Sequence, residues 1–292
     1  MNYLIYNGFW NDAAPMTVRM LESAAHASGT PLQVTPHTEW TARYGTETSV
    51  LGPNGAVSSG DTVLFWDKDV RLARALQQVG VKVNNLPDAI ALCDDKSATH
   101  MALSVAGIPM PTTLVAPMAY TEVTDRIKVF LQRAKEQLGF PMVVKECFGS
   151  LGGQVYLAKD EQQLEQLALS MGPRPFLVQR FVSACAGEDW RLYVVKGKTV
   201  AAMHRSHPRD FRANLAAGGT AQAYQPTPEQ QRLAQRCCEQ LGLTFGAVDF
   251  LRNEKGEWLV CEVNSNAFLE GITQCTGVDV ARHIIQAVFT NG

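Results

Sequence analysis

No CxxC pair, no recurring cysteine spacing and no histidines at metal-ligand spacing occur along this chain of 292 residues. Those absences leave out a zinc framework and a disulfide-stapled scaffold. The seven cysteines are odd in number and most lie inside apolar runs, so reduced thiols in a cytoplasmic protein are expected. No apolar stretch approaches the roughly 18 residues that a membrane span needs. Met1-Asn2-Tyr3-Leu4-Ile5-Tyr6-Asn7 carries no basic segment ahead of a long apolar one, so neither a signal peptide nor a membrane partner is expected. A net charge of −2 leaves no polyanion footprint, and nucleic acid is not an expected partner. Internal repeats, low-complexity tracts and long charge runs are missing too, as is any Ser-His-Asp arrangement.

What is present is a chain 46% hydrophobic and 18% charged, enough for a large core spread over two or three lobes. Tyr3–Asn7, Thr62–Trp66 and Val81–Val83 read as short buried strands, with helices at Met16–Ala27 and Val70–Val79. That alternation predicts a small α/β lobe with parallel strands. A helix follows Asp94-Asp95 and stops at Gly107-Ile108-Pro109, and Val123–Leu138 forms a second. Strand Pro141–Lys145, a glycine-rich loop, strand Val155–Ala158 and a helix capped by Asp160 complete a middle α+β unit. The last third is rich in strands: Phe176–Phe181, Trp190–Val195, Thr199–His204, Phe245–Leu251 and Trp258–Val263. Thr227, Pro228 and Gln230 signal the start of a helix between them.

The chemistry gathers in a few places. Gly246–Arg252 and Glu257–Val263 flank the polar loop Asn253-Glu254-Lys255-Gly256 and read as a hairpin. If Arg252 faces Glu257, Asp249 and Glu262 share a face as diagonal neighbours, roughly 7–8 Å apart at Cα. Asn264 continues that face. Two carboxylates and an amide oxygen suit a hard cation such as Mg²⁺, and the same residues fit an exposed hairpin with a polar solvent side. Gly149-Ser150-Leu151-Gly152-Gly153 follows Lys145 and has the form of a loop whose N–H groups reach phosphate oxygens, or of a plain turn. It is neither a P-loop nor a dinucleotide fingerprint. Extended backbone at Arg180–Val182 could offer hydrogen bonds to an adenine edge, with Glu188 or Asp189 for ribose hydroxyls; a surface turn with an ordinary acid pair fits as well. His204–Asn214 concentrates three arginines and two histidines, and arginine suits bidentate recognition of phosphate or carboxylate.

These segments, in this order, resemble the ATP-grasp superfamily, most closely its RimK-like branch of carboxylate–amine ligases. The resemblance rests on Asp95-Lys96, Pro141–Lys145, Gly149–Gly152, Gly187–Arg191, Asp210–Asn214 with Gly218-Gly219, Ala247–Asp249, Glu262–Asn264, Leu269–Ile272 and Thr276–Asp279. It covers about residues 85 to 290, while the first 80 match in general architecture only. It implies an α/β fold with α+β lobes in which a middle and a C-terminal lobe sandwich ATP. The expected lobes are residues 1–90, 91–175 and 176–292. Lys96 and Lys145 are then expected on the phosphates and Ser150 to Gly152 over them. Gln179 and the backbone at Phe181 and Val182 are expected at adenine, with Glu188 or Asp189 at the ribose. Asp249, Glu262 and Asn264 would bind two Mg²⁺ ions, Mn²⁺ being an alternative. Arg191, Arg205, Arg212 and Asn214 would surround the γ-phosphate and the substrate carboxylate.

Two departures from the family pattern stand out. Gln154 replaces a usual glycine in the loop, and Ser265-Asn266-Ala267-Phe268 replaces the usual Ala/Ser-Ser-Pro-Gly turn. The expected activity is ATP- and Mg²⁺-dependent amide formation between a carboxylate, activated as an acyl phosphate, and an amine. Amino acids or acidic peptides are the expected substrates, a protein acceptor being a further option, and the family implies a homo-oligomer. A small-molecule kinase and a non-catalytic ATP-binding regulator are the alternatives. No residue presents itself as a strong general base.

Overall fold

Apolar runs too short for helices pair in parallel at the start of the chain. The computed structural model describes residues 1–10 and 15–290. Asn2–Tyr6 lies between Gln33–Pro36 and Thr62–Trp66, and Lys82–Asn84 completes the four-stranded sheet. Alternate residues face opposite ways. Leu4, Leu64 and Trp66 pack with the helix Met16–Ala27 and the C-terminal lobe; Tyr3, Ile5, Val63 and Phe65 pack with the helix Val70–Gln78. The sequence reading missed Gln33–Pro36 and a small meander, Thr41–Arg43, Ser49–Gly52 and Gly55–Ala56. Both are short, and the meander is largely solvated, so neither carries a strong apolar pattern.

The middle sheet runs, in order, Val155–Ala158, Met142–Glu146, Phe176–Arg180 and Thr113–Val115, all antiparallel. One face, with Met142, Val144, Phe176 and Val178, packs with Leu131, Ala134, Leu164 and Ala168 from the helices Lys128–Leu138 and Glu161–Ser170. Phe176–Arg180 was expected to open the C-terminal lobe but is an inner strand here. Its apolar residues fill the middle core, and pairing sends residues 143, 145, 177 and 179 to the other face.

The C-terminal sheet is ordered Thr220–Ala223, Lys198–Ser206, Glu188–Val195, Phe245–Arg252, Trp258–Asn264. Leu192, Val248, Phe250 and Val260 pack on the helix Pro228–Leu241, whose Thr227 forms the expected capping box. Ala89, Cys93 and Leu103 belong to the same core, so the helices Pro87–Asp94 and Lys96–Val105 lie under this sheet rather than dividing at residue 90. The opposite face carries Tyr193, Met203 and Ala247 toward the N-terminal lobe and the helix Val280–Phe289. Among the described residues, no helix is long and apolar enough to cross a membrane.

Two buried polar side chains join these units. Asn85 is 1% exposed. Its amide donates to the carbonyls of Phe245 (2.9 Å) and Ser265 (3.0 Å), and its Oδ1 accepts from Thr244 N (2.8 Å) and Phe245 N (3.2 Å). His100 faces Gln179 of the middle sheet, Nε2 to Nε2 at 3.2 Å. Burial, then Lys145 and Lys96, push the His100 pKa down to about 3. Asn85→Ala strands four backbone groups and is expected to cost about 3 kcal/mol or more in urea denaturation; a loss below about 0.5 kcal/mol would show that the clamp is dispensable. For His100 the folded chain binds its proton only near pH 3, whereas the unfolded chain binds it near 6.5. Stability should therefore fall as pH drops through that window, by at most about 1.4 kcal/mol per unit from this group. Urea midpoints between pH 4 and 6.5 check this: His100→Gln is expected to give the flatter curve, and parallel curves would refute it.

Candidate active site

The hairpin carrying the expected metal ligands forms, with a different register. Arg252 pairs with Trp258, not Glu257, and Phe250 pairs with Val260. Between Phe250 and Asp249 the register shifts, so that Asp249 lies opposite Glu262 and Ala247 opposite Asn264. Cys261 is the extra residue of a β-bulge. Without it, the slip at the turn would have put Glu262 on the other face. With it, the acids are direct rather than diagonal partners, about 4.5–5.5 Å apart at Cβ. A bulge leaves no trace in hydrophobic alternation, which is why the spacing alone gave the diagonal.

Asp249 is 4% exposed and already well held. Arg191 donates to both its oxygens at 2.6 Å, and Arg205 adds a third bond at 3.0 Å. Arg205 in turn holds Asp189 through a bidentate pair at 2.6 and 2.7 Å. Burial raises the Asp249 pKa, but the two guanidinium groups outweigh it and the carboxyl sits below its ordinary value. For Asp189, burial and the nearby Asp249 charge prevail over Arg205, and its pKa is raised. The four charges sum to zero. Asp189 is thereby committed to Arg205, whereas the more exposed Glu188 has His204 Nε2 at 3.7 Å. Glu262 has Lys96 at 3.4 Å. The Asn264 amide makes no hydrogen bond among the described residues, and its nitrogen is buried without a partner.

The glycine-rich loop closes against this face. Lys96 Nζ donates to the Gly149 carbonyl (3.0 Å), and Arg212 donates to the Gly152 carbonyl (2.6 Å) while pairing with Asp210 (2.7 Å). At Gly152 φ is +75°, and a Cβ would stand 2.7 Å from Asn214 Oδ1, so this position requires glycine. Gln154 fastens the loop from within, its Oε1 accepting from Ser150 N at 3.2 Å. Lys145, on the strand below, is 6% exposed. Its one hydrogen-bond acceptor among the described residues is the Cys261 thiol at 3.6 Å.

Two cavities meet here. The first, about 110 Å³, lies between the middle and C-terminal sheets; the second, about 540 Å³, lies between the C-terminal sheet and the N-terminal lobe. Ser150, Arg205, Asn214 and Glu262 line both. Every residue expected at nucleotide, metal or substrate lines the first cavity except Leu151, Arg191 and Asn264, which line the second. The sequence reading missed the N-terminal contribution: Tyr6, Asn7, Trp66, Asp67 and Lys68 line the larger cavity. They stand at the carboxyl ends of parallel strands, where open α/β sheets bind ligands, and that rule was the available signal. It also missed Glu270, which accepts from Thr17 N (2.8 Å) and Thr17 Oγ1 (2.6 Å) and joins the first helix to this wall.

Comparison with known proteins agrees with this geometry. A family model, the RimK-like ATP-grasp domain, matches residues 93–288. An uncharacterized protein of Mycoplasma pneumoniae is 32% identical over 234 residues, covering 78% of this chain and 80% of its own length. A probable alpha-L-glutamate ligase of Nitrosococcus oceani is 36% identical over 235 residues, covering 80% of this chain and 74% of that protein. The crystal structure of a RimK domain ATP-grasp protein from Sphaerobacter thermophilus matches with a TM-score of 0.73 at 25% identity, covering 99% of this chain and 100% of that one. The chain belongs to the RimK-like ATP-grasp family of ATP-dependent carbon–nitrogen ligases.

Proposed function

We propose that this protein condenses the carboxylate of one amino acid or short acidic peptide with the amine of another, consuming ATP and releasing ADP and phosphate. The observation that carries the nucleotide reading is Lys145. An ammonium 6% exposed, whose one acceptor among the described residues is a thiol, is an uncompensated buried charge. Phosphate oxygens in the adjoining cavity would compensate it, together with Lys96 and the N–H groups of the glycine loop. Glu188 would meet the ribose, and Gln179 with the backbone at Phe181 and Val182 would meet the base. A cavity of about 110 Å³ is small beside the roughly 300 Å³ or more of ordinary ligand sites, so the lobes must part for the nucleotide to enter.

Glu262, Asn264 and the remaining lone pair of Asp249 form an all-oxygen donor set that fits Mg²⁺, and the uncommitted Asn264 amide supports that use. Bound there, the metal would neutralise charge on the phosphate oxygens. The substrate carboxylate would sit in the larger cavity beside Asn214 and attack the γ-phosphorus, breaking its bond to the bridging oxygen and expelling ADP. The amine would then attack the acyl carbon, phosphate leaving as the C–N bond forms and the nitrogen loses a proton. Closure of the glycine loop would keep water from the acyl phosphate. Names of relatives such as the probable alpha-L-glutamate ligase support an acidic substrate. Within the cavity Arg191 and Arg205 are already paired, so neutral donors such as Asn7, Asn266 and Gln274 would do much of the recognition. Seven free thiols support a cytoplasmic setting.

Turnover with Mg²⁺ across amino acids and short acidic peptides, following ADP, AMP and product mass together, tests this reading. ADP with a mass gain equal to condensation is expected for one substrate pair, and AMP would overturn the acyl-phosphate route. Glu262→Gln should lower turnover by at least about a hundredfold with the fold intact by circular dichroism. Wild-type turnover in that variant would refute the metal assignment.

A further inference from the structure

Gln179 is 2% exposed, yet it borders the narrow cavity. It occupies the face of the middle sheet turned away from that lobe's own core. The hydrogen bonds around it fix which way its amide points. Thr113 Oγ1 donates its single hydrogen to the Pro111 carbonyl at 2.9 Å. Toward Gln179 it can only accept, so the atom 2.8 Å away must be the amide nitrogen. The second amide hydrogen faces His100 Nε2 at 3.2 Å, which must then be unprotonated. The imidazole proton therefore sits on Nδ1, 3.1 Å from the Met110 sulfur, a weak acceptor. Burial, with Lys145 and Lys96 nearby, keeps the ring neutral and preserves that tautomer's acceptor.

Turning the amide over would draw the Thr113 hydroxyl hydrogen away from the Pro111 carbonyl and move the His100 proton from Nδ1 to Nε2, giving up the contacts with Pro111 and Met110. Its Oε1 accepts no hydrogen bond among the described residues, which leaves it as the free polar atom at the cavity wall. We propose that His100 and Thr113 are positioning residues that lock the Gln179 amide with Oε1 toward the base, so that the site takes a purine bearing an amino group at C6 and rejects one bearing a carbonyl there. An amino hydrogen meets the fixed acceptor, whereas a C6 carbonyl sets lone pair against lone pair. Selectivity of this kind is strong because the fixed acceptor cannot adapt to the wrong group. The inference rests on the nucleotide reading of the cavity and assigns the orientation of Gln179 to two residues that line neither cavity.

Equilibrium titration of the intact protein with ATP, ITP and GTP in the presence of Mg²⁺ tests it without need of the other substrates. ATP is expected to bind at least about a hundredfold more tightly than ITP. His100→Leu and Thr113→Val should each cut that ratio by about tenfold. In turnover, the loss should fall on KM for ATP rather than on kcat. His100→Gln places an amide oxygen where Nε2 stood and should restore the ratio. The two substitutions lie on different elements, so misfolding of one, judged by circular dichroism, leaves the other to decide. An unchanged ATP/ITP ratio in a folded variant, or equal binding of ATP and ITP by the wild type, overturns the inference while leaving the ligase reading intact. Failure of the wild type to bind any of the three overturns both.

Discussion

Much of the site depends on one neutral arrangement: Asp249 and Asp189 held by Arg191 and Arg205 on a single sheet face. Each acid is bound in bidentate fashion by one arginine, and Arg205 bridges the two. Removing one member of such a buried set typically costs about 3–5 kcal/mol, because it leaves an uncompensated charge. The network therefore fixes the orientation of Asp249 before any ligand arrives. It also cancels its own charge. Among the described residues, Lys145 is left with a thiol and no carboxylate, and Glu262 is held by a 3.4 Å contact with Lys96. Attraction for a phosphate–metal pair then arises from those groups rather than from the more numerous arginines.

The legible part of the fold was the part encoded locally. The Asp160 and Thr227 caps both form, because each needs only its own first turn. Apolar periodicity located most strands for the same reason. What could not be read was which element each strand joins. Phe176–Arg180 lies beside Met142–Glu146 because Phe176 and Val178 complete the middle core, and no local signal separates that from membership of the next sheet. The hairpin shows both limits together. Its face was legible from Asp249, Glu262 and Asn264, but its register was not, because the bulge at Cys261 answers to packing rather than to alternation. Gln179 could be marked as a candidate at the base; His100 and Thr113, which orient it, are far away in sequence and carry no pattern of their own.

The closed cleft has a common character. Its contacts use weak or substitute partners: a thiol for Lys145, a loop carbonyl for Lys96, and the Gln154 side chain for Ser150 N–H. On the proposed reading, each of these donors would find a charged phosphate oxygen in the nucleotide complex. Charge-assisted bonds are roughly twice as strong as neutral ones. The exchange therefore favours the liganded closed form over the empty one. Gln154 bears on that balance directly. A glycine there would leave Ser150 N–H without this acceptor and the loop freer to open, whereas the glutamine ties the loop in its closed shape. The residue that departs from the family pattern thus lowers the ordering cost of closure while competing for one of its donors, and the sign of its effect on nucleotide affinity follows from which contribution is larger.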